Sequence, residues 1–593
     1  MMMNKITQKL KGQISLLFII CSLLFSVACS DSWDDHYDNT TTVAEDGTIW
    51  EAIKNNTALS NFASVLEACG FDKALNSSQV FTVFAPTNDQ FSAAEAAALI
   101  QAYKDEKLGQ NGKNKVSDDE NSVVKEFVRN HVALYNYSVS KAHSDTIVLM
   151  NGKYALLQTD KIDQTRFLSS NKLYSNGVLF IVEKPVDYFP NVFEYFRKDA
   201  DFDSVCNFLY NPWFYRSVFQ PRLSVAGGIE NGKTVYLDSV FRQTNELFYY
   251  LEDINSEDSV FWMVAPTNTQ WEALVNEYNQ YFVYEDNVER RLSVGTVDSL
   301  VYTAPRMAIL RGTVFSRSYN PDKAIADSVM STNAIYRYNS RVSYWGADSL
   351  CYYQYFRPND AGGVFYGATN NVCSNGMVMK VPTWNFDKSQ TFLQTRIIEA
   401  ESGSSIREVG KEETNKEKKD STVTYNQRNR YVYSGNPFYK KVSRNQFAEF
   451  EPNVSTSDNG FYVTFNITNV LSNIGYDIYL VTAPALAEDT TATEEKRRPT
   501  IINCTLNYHE KTGATKSELL LSKYTTKPDI VDAILLAENF KFPVCTVGIN
   551  EGNTPSVTLK VETSVTTSQV VRRKTHTRTM RIDCIILKPH LEE

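Results

Sequence analysis

Apolar positions at helical spacing open the part of the chain that carries regular pattern. Thr48-Ile49-Trp50-Glu51 reads as a helix start, with Thr48 and Glu51 placed to form a capping box. Leu59, Phe62, Val65 and Leu66 then mark one apolar helix face. A β-rich run, Val80-Phe81-Thr82-Val83-Phe84, leads into Ala85-Pro86, where the missing amide stops strand pairing. Thr87 is positioned to cap a following helix, with Gln90 completing the box and Phe91 as its first apolar anchor. Asn176-Gly177-Val178-Leu179-Phe180-Ile181-Val182 predicts a tight turn into a buried strand.

The same succession occurs twice. Asn191-Val192-Phe193-Glu194 repeats the helix start, and Phe202, Val205, Phe208 and Leu209 repeat the apolar face. Val260-Phe261-Trp262-Met263-Val264-Ala265-Pro266-Thr267-Asn268-Thr269-Gln270-Trp271 repeats the strand, the proline and the capped helix. Asn375-Gly376-Met377-Val378-Met379-Lys380-Val381 repeats the closing turn and strand. The second copy is longer, with its extra residues between about 210 and 258. From about 391 the period changes to two: Phe461, Val463, Phe465 and Ile467 alternate with polar neighbours, as do Tyr476, Ile478 and Leu480, and Val557, Leu559 and Val561. Ile582, Cys584 and Ile586 supply a last strand. Alternation without a long helix predicts a sandwich with one buried face per sheet.

These residues resemble the fasciclin domain. Thr82-Val83-Phe84-Ala85-Pro86-Thr87-Asn88-Asp89-Gln90-Phe91 looks like its first signature, Phe127-Val128-Arg129-Asn130-His131-Val132 like its Asn-His helix end, and Asn176-Gly177-Val178 like its closing strand. The resemblance spans 45–186, and extends over 188–388 as a degenerate copy in which Arg311-Gly312-Thr313-Val314 stands where the Asn-His pair belongs. The expected fold is thus two α+β fasciclin-like domains, the second carrying an insertion, followed by an all-β jelly-roll-like sandwich over 391–593. The family implies adhesion and extracellular contact without general catalysis. The sandwich termini, Ile397-Ile398-Glu399-Ala400-Glu401 and Ile582-Asp583-Cys584-Ile585-Ile586-Leu587, resemble galactose-binding-like jelly rolls, which often bind glycans and hold a structural calcium near the first strand. Glu399 and Glu401 are calcium candidates on that likeness and their spacing alone. No other metal and no cofactor is implied.

The amino terminus bears on location. Lys5, Lys9 and Lys11 precede an apolar run over residues 14–27, shorter than the roughly 20 residues that span a bilayer, which reads as a secretory signal over 1–28. Ser26-Val27-Ala28-Cys29 resembles a bacterial lipobox, with Ser26 in place of the usual Leu and Cys29 as the lipidation site; plain cleavage near Ala28 is the alternative. The acidic segment after Cys29, a tether over 29–44, resembles a surface-export signal of Bacteroidota-type lipoproteins, the alternative being a simple linker. The implied location is the cell outer membrane, lipid-anchored and facing outside.

The chain has 593 residues, 22% of them charged, and a net charge of −9. Without a basic stripe it is a poor partner for nucleic acid. Of nine cysteines, Cys21 and Cys29 fall in the leader; the other seven are sparse and form no CxxC, so neither a disulfide framework nor a zinc site is predicted. Cys69 and Cys206 lie in apolar helical patterns and are expected to be buried. Polar stretches at 107–121, 411–420 and 488–500 mix their charges and read as solvated loops. The triplets Asp145-Thr146-Ile147 and Asp298-Ser299-Leu300 resemble O-glycosylation acceptors of such bacteria.

Catalytic patterns are missing. None of the six histidines has a metal-binding spacing, and no nucleophile elbow or phosphate-binding loop occurs. His131 is expected to be a buried structural hydrogen-bonder, and the chain is expected not to be an enzyme. The insertion gathers Tyr210, Trp213, Phe214, Tyr215 and Phe219. Trp213, Phe214 and Tyr215 are candidate ligand-binding residues, set against an inserted core packing on the second domain. Two functions follow: a surface adhesion or protein-interaction scaffold, or an accessory glycan-binding lipoprotein of an outer-membrane nutrient-uptake complex. The partners are then the outer membrane, a surface protein or glycan, and in the second case an outer-membrane transporter complex.

Overall fold

The computed structural model describes residues 45–112, 115–140, 144–230, 232–286, 297–316, 327–333, 335, 353–411, 425–452, 461–549 and 556–590. The leader, Cys29, the tether and the stretch 412–420 lie outside them. Contacts divide the chain into two compact units: one holds residues up to Tyr188 together with Val218–Arg242, the other holds Phe189–Ser217 and Gln243–Glu593.

The first unit is built on a seven-stranded sheet of β1 (Phe81–Pro86), β2 (Val132–Leu134), β3 (Asp145–Val148), β4 (Tyr154–Leu157), β5 (Lys161–Ile162), β6 (Thr165–Tyr174) and β7 (Gly177–Val182), ordered 2-1-7-6-5-4-3. β1 and β7, the second and third strands of that order, run parallel, from Phe81 opposite Gly177 to Pro86 opposite Val182. Both faces of this pair are covered, which is why β1 is apolar almost throughout. Phe81, Val83 and Ala85 point into the core made with the helices, whereas Phe84 joins Val178, Phe180 and Val182 on the opposite face. The Thr48–Glu51 capping box forms at the start of helix Ile49–Asn55, and Leu59, Phe62, Val65 and Leu66 are all fully buried. The Thr87 expectation is corrected. The next helix is Ala93–Leu108, capped by a Ser92–Glu95 box, while the Thr87 hydroxyl donates to the Glu183 carbonyl. Phe91 is still a buried anchor, at 2% exposure.

The insertion is divided as well. Its hairpin, following β8 (Tyr215–Phe219) and made of β9 (Val225–Glu230) and β10 (Lys233–Asp238), falls in the first unit, although the sequence assigned the whole insertion to the second domain. Val225 enters the first unit's core, and Asp238 takes the buried Arg129 guanidinium with Nε–Oδ2 at 3.0 Å and Nη2–Oδ1 at 2.6 Å. A charge pair so desolvated is costly to break from one side.

After the short strand β11 (Phe241–Asn245), the second unit repeats the central motif in a six-stranded sheet. β12 (Phe261–Ala265), β13 (Val314–Ser316), β14 (Ser328–Ser331), β15 (Gln354–Phe356), β16 (Thr369–Cys373) and β17 (Gly376–Lys380) stand in the order 15-14-13-12-17-16, with β12 and β17 parallel and Phe261 opposite Gly376. Here Thr267 does cap its helix, Asn268–Tyr278, in a box with Gln270.

Two sheets complete this unit. One contains β18 (Arg396–Glu399), β20 (Tyr425–Tyr431), β21 (Gln446–Pro452), β23 (Gly475–Thr482), β26 (Asp532–Lys541) and β28 (Met580–Pro589). The other contains β19 (Ile406–Lys411), β22 (Phe461–Asn466), β24 (Ile501–His509), β25 (Thr515–Thr525) and β27 (Thr558–Thr563). Phe450, Ile478, Leu480 and Leu587 from the first sheet share a core with Val463, Phe465, Leu506 and Leu559 from the second, so the expected sandwich forms. That core is continuous with the one around Phe202, Phe208 and Trp271. Residues 280–285 are stitched to the sandwich: Ser472 donates to the Gln280 carbonyl, and the Tyr284 hydroxyl to the Val547 carbonyl at 3.0 Å.

Both parallel pairs close through the same device. Asn176 Oδ1 accepts from Ile49 N at 2.9 Å, and its Nδ2 donates to the Leu75 and Ser77 carbonyls. Asn375 does the same with Val192 N, Ile254 and Ser256. The next residue must be glycine. A Cβ on Gly177 would sit 1.9 Å from the Phe81 carbonyl oxygen, and one on Gly376 1.8 Å from that of Phe261, with φ of 142° and 138°. Gly177→Ala and Gly376→Ala should each cost on the order of 3 kcal/mol or prevent folding of the affected unit. Urea denaturation checks this, and a loss below about 0.5 kcal/mol in both would contradict the close-approach reading.

Candidate functional site

His131 comes at the end of the π and 3-10 turns that carry Phe127 and Asn130, and it is fully buried. Its Nδ1 lies 2.7 Å from the Phe127 carbonyl and its Nε2 accepts from Val186 N at 2.9 Å. A carbonyl on one side and an amide on the other require the neutral ring with the proton on Nδ1. Burial lowers its pKa to about 4, partly opposed by the Phe127 carbonyl. Both nitrogens are engaged, so the ring is a strut and not a proton-transfer group.

The three aromatic candidates separate. Phe214 is buried in the core and Tyr215 packs beside Phe193 and Tyr210, with the Arg197 guanidinium 3.8 Å from the Tyr210 ring centre. Only Trp213 is exposed, at 46%, edge-on to Tyr302 at 5.5 Å. Phe214 therefore has no free face for a ligand, which corrects its place among the binding candidates.

Glu399 lies in a buried acidic cluster with Asp583, which the alternation pattern did not mark, while Glu401 is half-buried near it. Glu399 on β18 is opposite Cys584 on β28, and Ala400 N donates to the Asp583 carbonyl. Against β23, Val481 pairs with Cys584 but Thr482 with Ile582, so Asp583 is the extra residue of a bulge. This slip breaks the expected alternation: Ile585, not Ile586, joins the core. It also brings the Asp583 carboxyl beside Glu399, where one ligand atom from each of Glu399, Asp583 and Cys584 lies within 4.8 Å of the others. Both Asp583 oxygens accept from Ser443 N at 3.1 Å, in a loop where Lys440, Arg444 and Asn445 adopt positive φ.

The electrostatics are unfavourable as they stand. Burial, then the charges of Glu399 and Glu401, push Asp583 up to about 8. Burial pushes Glu401 up to about 7 and raises Glu399. Glu399 Oε1 accepts from Ser443 Oγ at 2.8 Å and meets Arg444 Nε at 3.2 Å, whereas Oε2 of Glu399 and Oε2 of Glu401 find no hydrogen-bond partner among the described residues. Orphaned, clustered carboxylate oxygens are the donor set of a hard divalent cation. The Cys584 thiol is driven up by burial and by its acidic neighbours, away from the thiolate that a soft metal needs. The cluster fits calcium better than zinc.

The described free cysteines are Cys69, Cys206, Cys373, Cys504, Cys545 and Cys584. Cys69 and Cys206 are half-buried, not fully buried as their helical pattern suggested.

Residues 57–187 match the Fasciclin domain family, so the chain contains a fasciclin domain. No curated protein matches the chain in sequence. Among solved structures, a family 22 carbohydrate-binding module joined to a xylanase from Clostridium thermocellum is similar at 11% identity and TM-score 0.18, over 28% of this chain and 25% of that one. The chain thus spans only a quarter of that relative's length. A xylan-binding domain of family 22 is similar at 13% identity and TM-score 0.17, over 32% of this chain and 97% of that one. A fasciclin domain pair from the insect cell adhesion molecule fasciclin I is similar at 8% identity and TM-score 0.16, over 56% of this chain and 98% of that one.

The buried His131 gives a signed pH dependence. Its folded pKa lies below the unfolded value, so the stability it supports is complete above pH about 6.5 and drains away as pH falls through about 4. Urea midpoints of the first unit should fall across that window, and His131→Gln should flatten that component of the slope. An unchanged slope in the variant would contradict the neutral strut.

Proposed function

We propose that this protein is a non-catalytic interaction scaffold, anchored through an acyl chain on Cys29 to an outer membrane and facing outward. The observation that carries the reading is the duplicated Asn-Gly closure: two rigid sheets built from one recipe, with the most catalytic-looking side chain, His131, used as internal support. Among the described residues no helix is long and apolar enough to cross a membrane. Attachment in this reading is through the leader's cysteine, where one lipid cluster suffices to hold the folded body at the membrane. Fractionation of cells should find the chain with outer membranes and Cys29→Ala in the soluble fraction; equal partition of both would rule out the anchor. Chemical cross-linking on intact cells should then yield outer-membrane proteins as neighbours.

In this reading the sandwich is held by calcium at Glu399 and Asp583, with Glu401 nearby, which would supply charge neutralisation where two carboxylates are buried together and a third is half-buried beside them. Calcium should raise the Tm of the chelator-treated protein, and Asp583→Asn should abolish the rise. A Tm indifferent to calcium would remove the site.

The second reading, a glycan-binding accessory of a nutrient-uptake complex, is favoured by the exposed Trp213 ring beside Tyr302.

A further inference from the structure

A cleft of about 490 Å³ opens in the second unit, between helix Asn268–Tyr278 and helix Val297–Leu310. Its volume falls in the range of small-ligand sites. Trp271 and Val275 form the floor, at 5% and 8% exposure, while Glu272 and Asn276 stand exposed one helical turn apart on the rim. Tyr302 and Arg306 form the opposite wall.

The arginine sets the chemistry. Pro305 lies inside its helix and can give no amide to the preceding turn. Next to that break Arg306 folds back: its Nη1 donates to the Tyr302 carbonyl at 2.8 Å, and its guanidinium carbon lies 3.9 Å from the Tyr302 ring centre. Stacking on a ring and bonding to its own helix hold the fork in place without a counter-charge. Among the described residues no carboxylate lies within ion-pair distance of it. Burial lowers its pKa, so the cation is partly stripped of water. A pre-set, half-desolvated guanidinium is a receptor for one planar anion.

The remaining groups indicate what surrounds that anion. Trp213, exposed and edge-on to Tyr302 at 5.5 Å, offers an aromatic face next to this wall, outside the residues that line the cleft itself. Glu272 offers acceptors and Asn276 both a donor and an acceptor, a set suited to adjacent hydroxyl groups. A carboxylate opposite an acidic peptide would repel it, whereas a sugar hydroxyl can donate to it. We infer that this cleft binds a uronate residue of an acidic polysaccharide, its carboxylate on Arg306 and its hydroxyls toward Glu272 and Asn276. This rests on the glycan-binding reading and is independent of the scaffold reading.

The test is affinity electrophoresis and calorimetry of the purified full chain with polygalacturonate, alginate and hyaluronan, with neutral xylan and poly-glutamate alongside. At least one uronate polymer should retard the protein, and added salt should weaken the retardation. Arg306→Gln and Trp213→Ala should each weaken binding about tenfold or more, at unchanged Tm. Trp213 is exposed, so its substitution should leave the fold intact if Arg306→Gln does not. Retention on xylan alone, or uronate binding that survives both substitutions, would overturn the cleft assignment and leave the glycan reading standing. Absence of binding to every polysaccharide would end both. Poly-glutamate bound as tightly as the uronates would replace the sugar with an acidic peptide and overturn the class.

Discussion

Two asparagines with a glycine after each govern this molecule. A buried side-chain amide that makes three hydrogen bonds to two separate backbone segments ties a helix start to the loop that leads into a strand. Phe81 N then donates to the Asn176 carbonyl, and Phe261 N to that of Asn375, which sets the register of each central parallel pair. Parallel strands far apart in sequence have no hairpin to align them, so an explicit latch takes that role. The glycine lets two backbones approach more closely than any side chain permits.

What surrounds the latch differs between the copies, and the differences follow local chemistry. In the first, His131 spans two backbone segments and Arg129 meets Asp238. In the second, Thr313 stands in the histidine's place. Its hydroxyl donates to the Leu310 carbonyl and its own carbonyl accepts from Val264 N, so β12 keeps its edge contact without a buried imidazole. Gly312, at φ 86°, leaves room for the Tyr353 ring. The degenerate motif is thus a different solution to the same closure.

Much of this was legible from spacing because capping boxes, proline-ended strands and Asn-Gly turns are local. Thr48 with Glu51, Thr267 with Gln270, and the alternating Phe461, Val463 and Phe465 all took their expected roles. Thr87 did not, because its hydroxyl is taken by a carbonyl distant in sequence while Ser92 and Glu95 supply an equally good box. The Asp583 carboxylate was hidden by a bulge, since period-two counting assumes an unbroken ladder and Asp583 is the residue that breaks it. The Arg129–Asp238 pair and the cleft around Arg306 join elements remote in sequence, and no periodicity encodes a meeting of that kind.

The most direct test of the account is native-state hydrogen exchange at four amides: Ile49 and Phe81 in the first copy, Val192 and Phe261 in the second. If the asparagine latch organises both sheets, each amide opens only with global unfolding of its own unit, and its protection tracks denaturant stability. Exchange of Phe81 or Phe261 at the rate of surface loops, while neighbouring strand amides stay protected, would show that the sheets hold their register by other means.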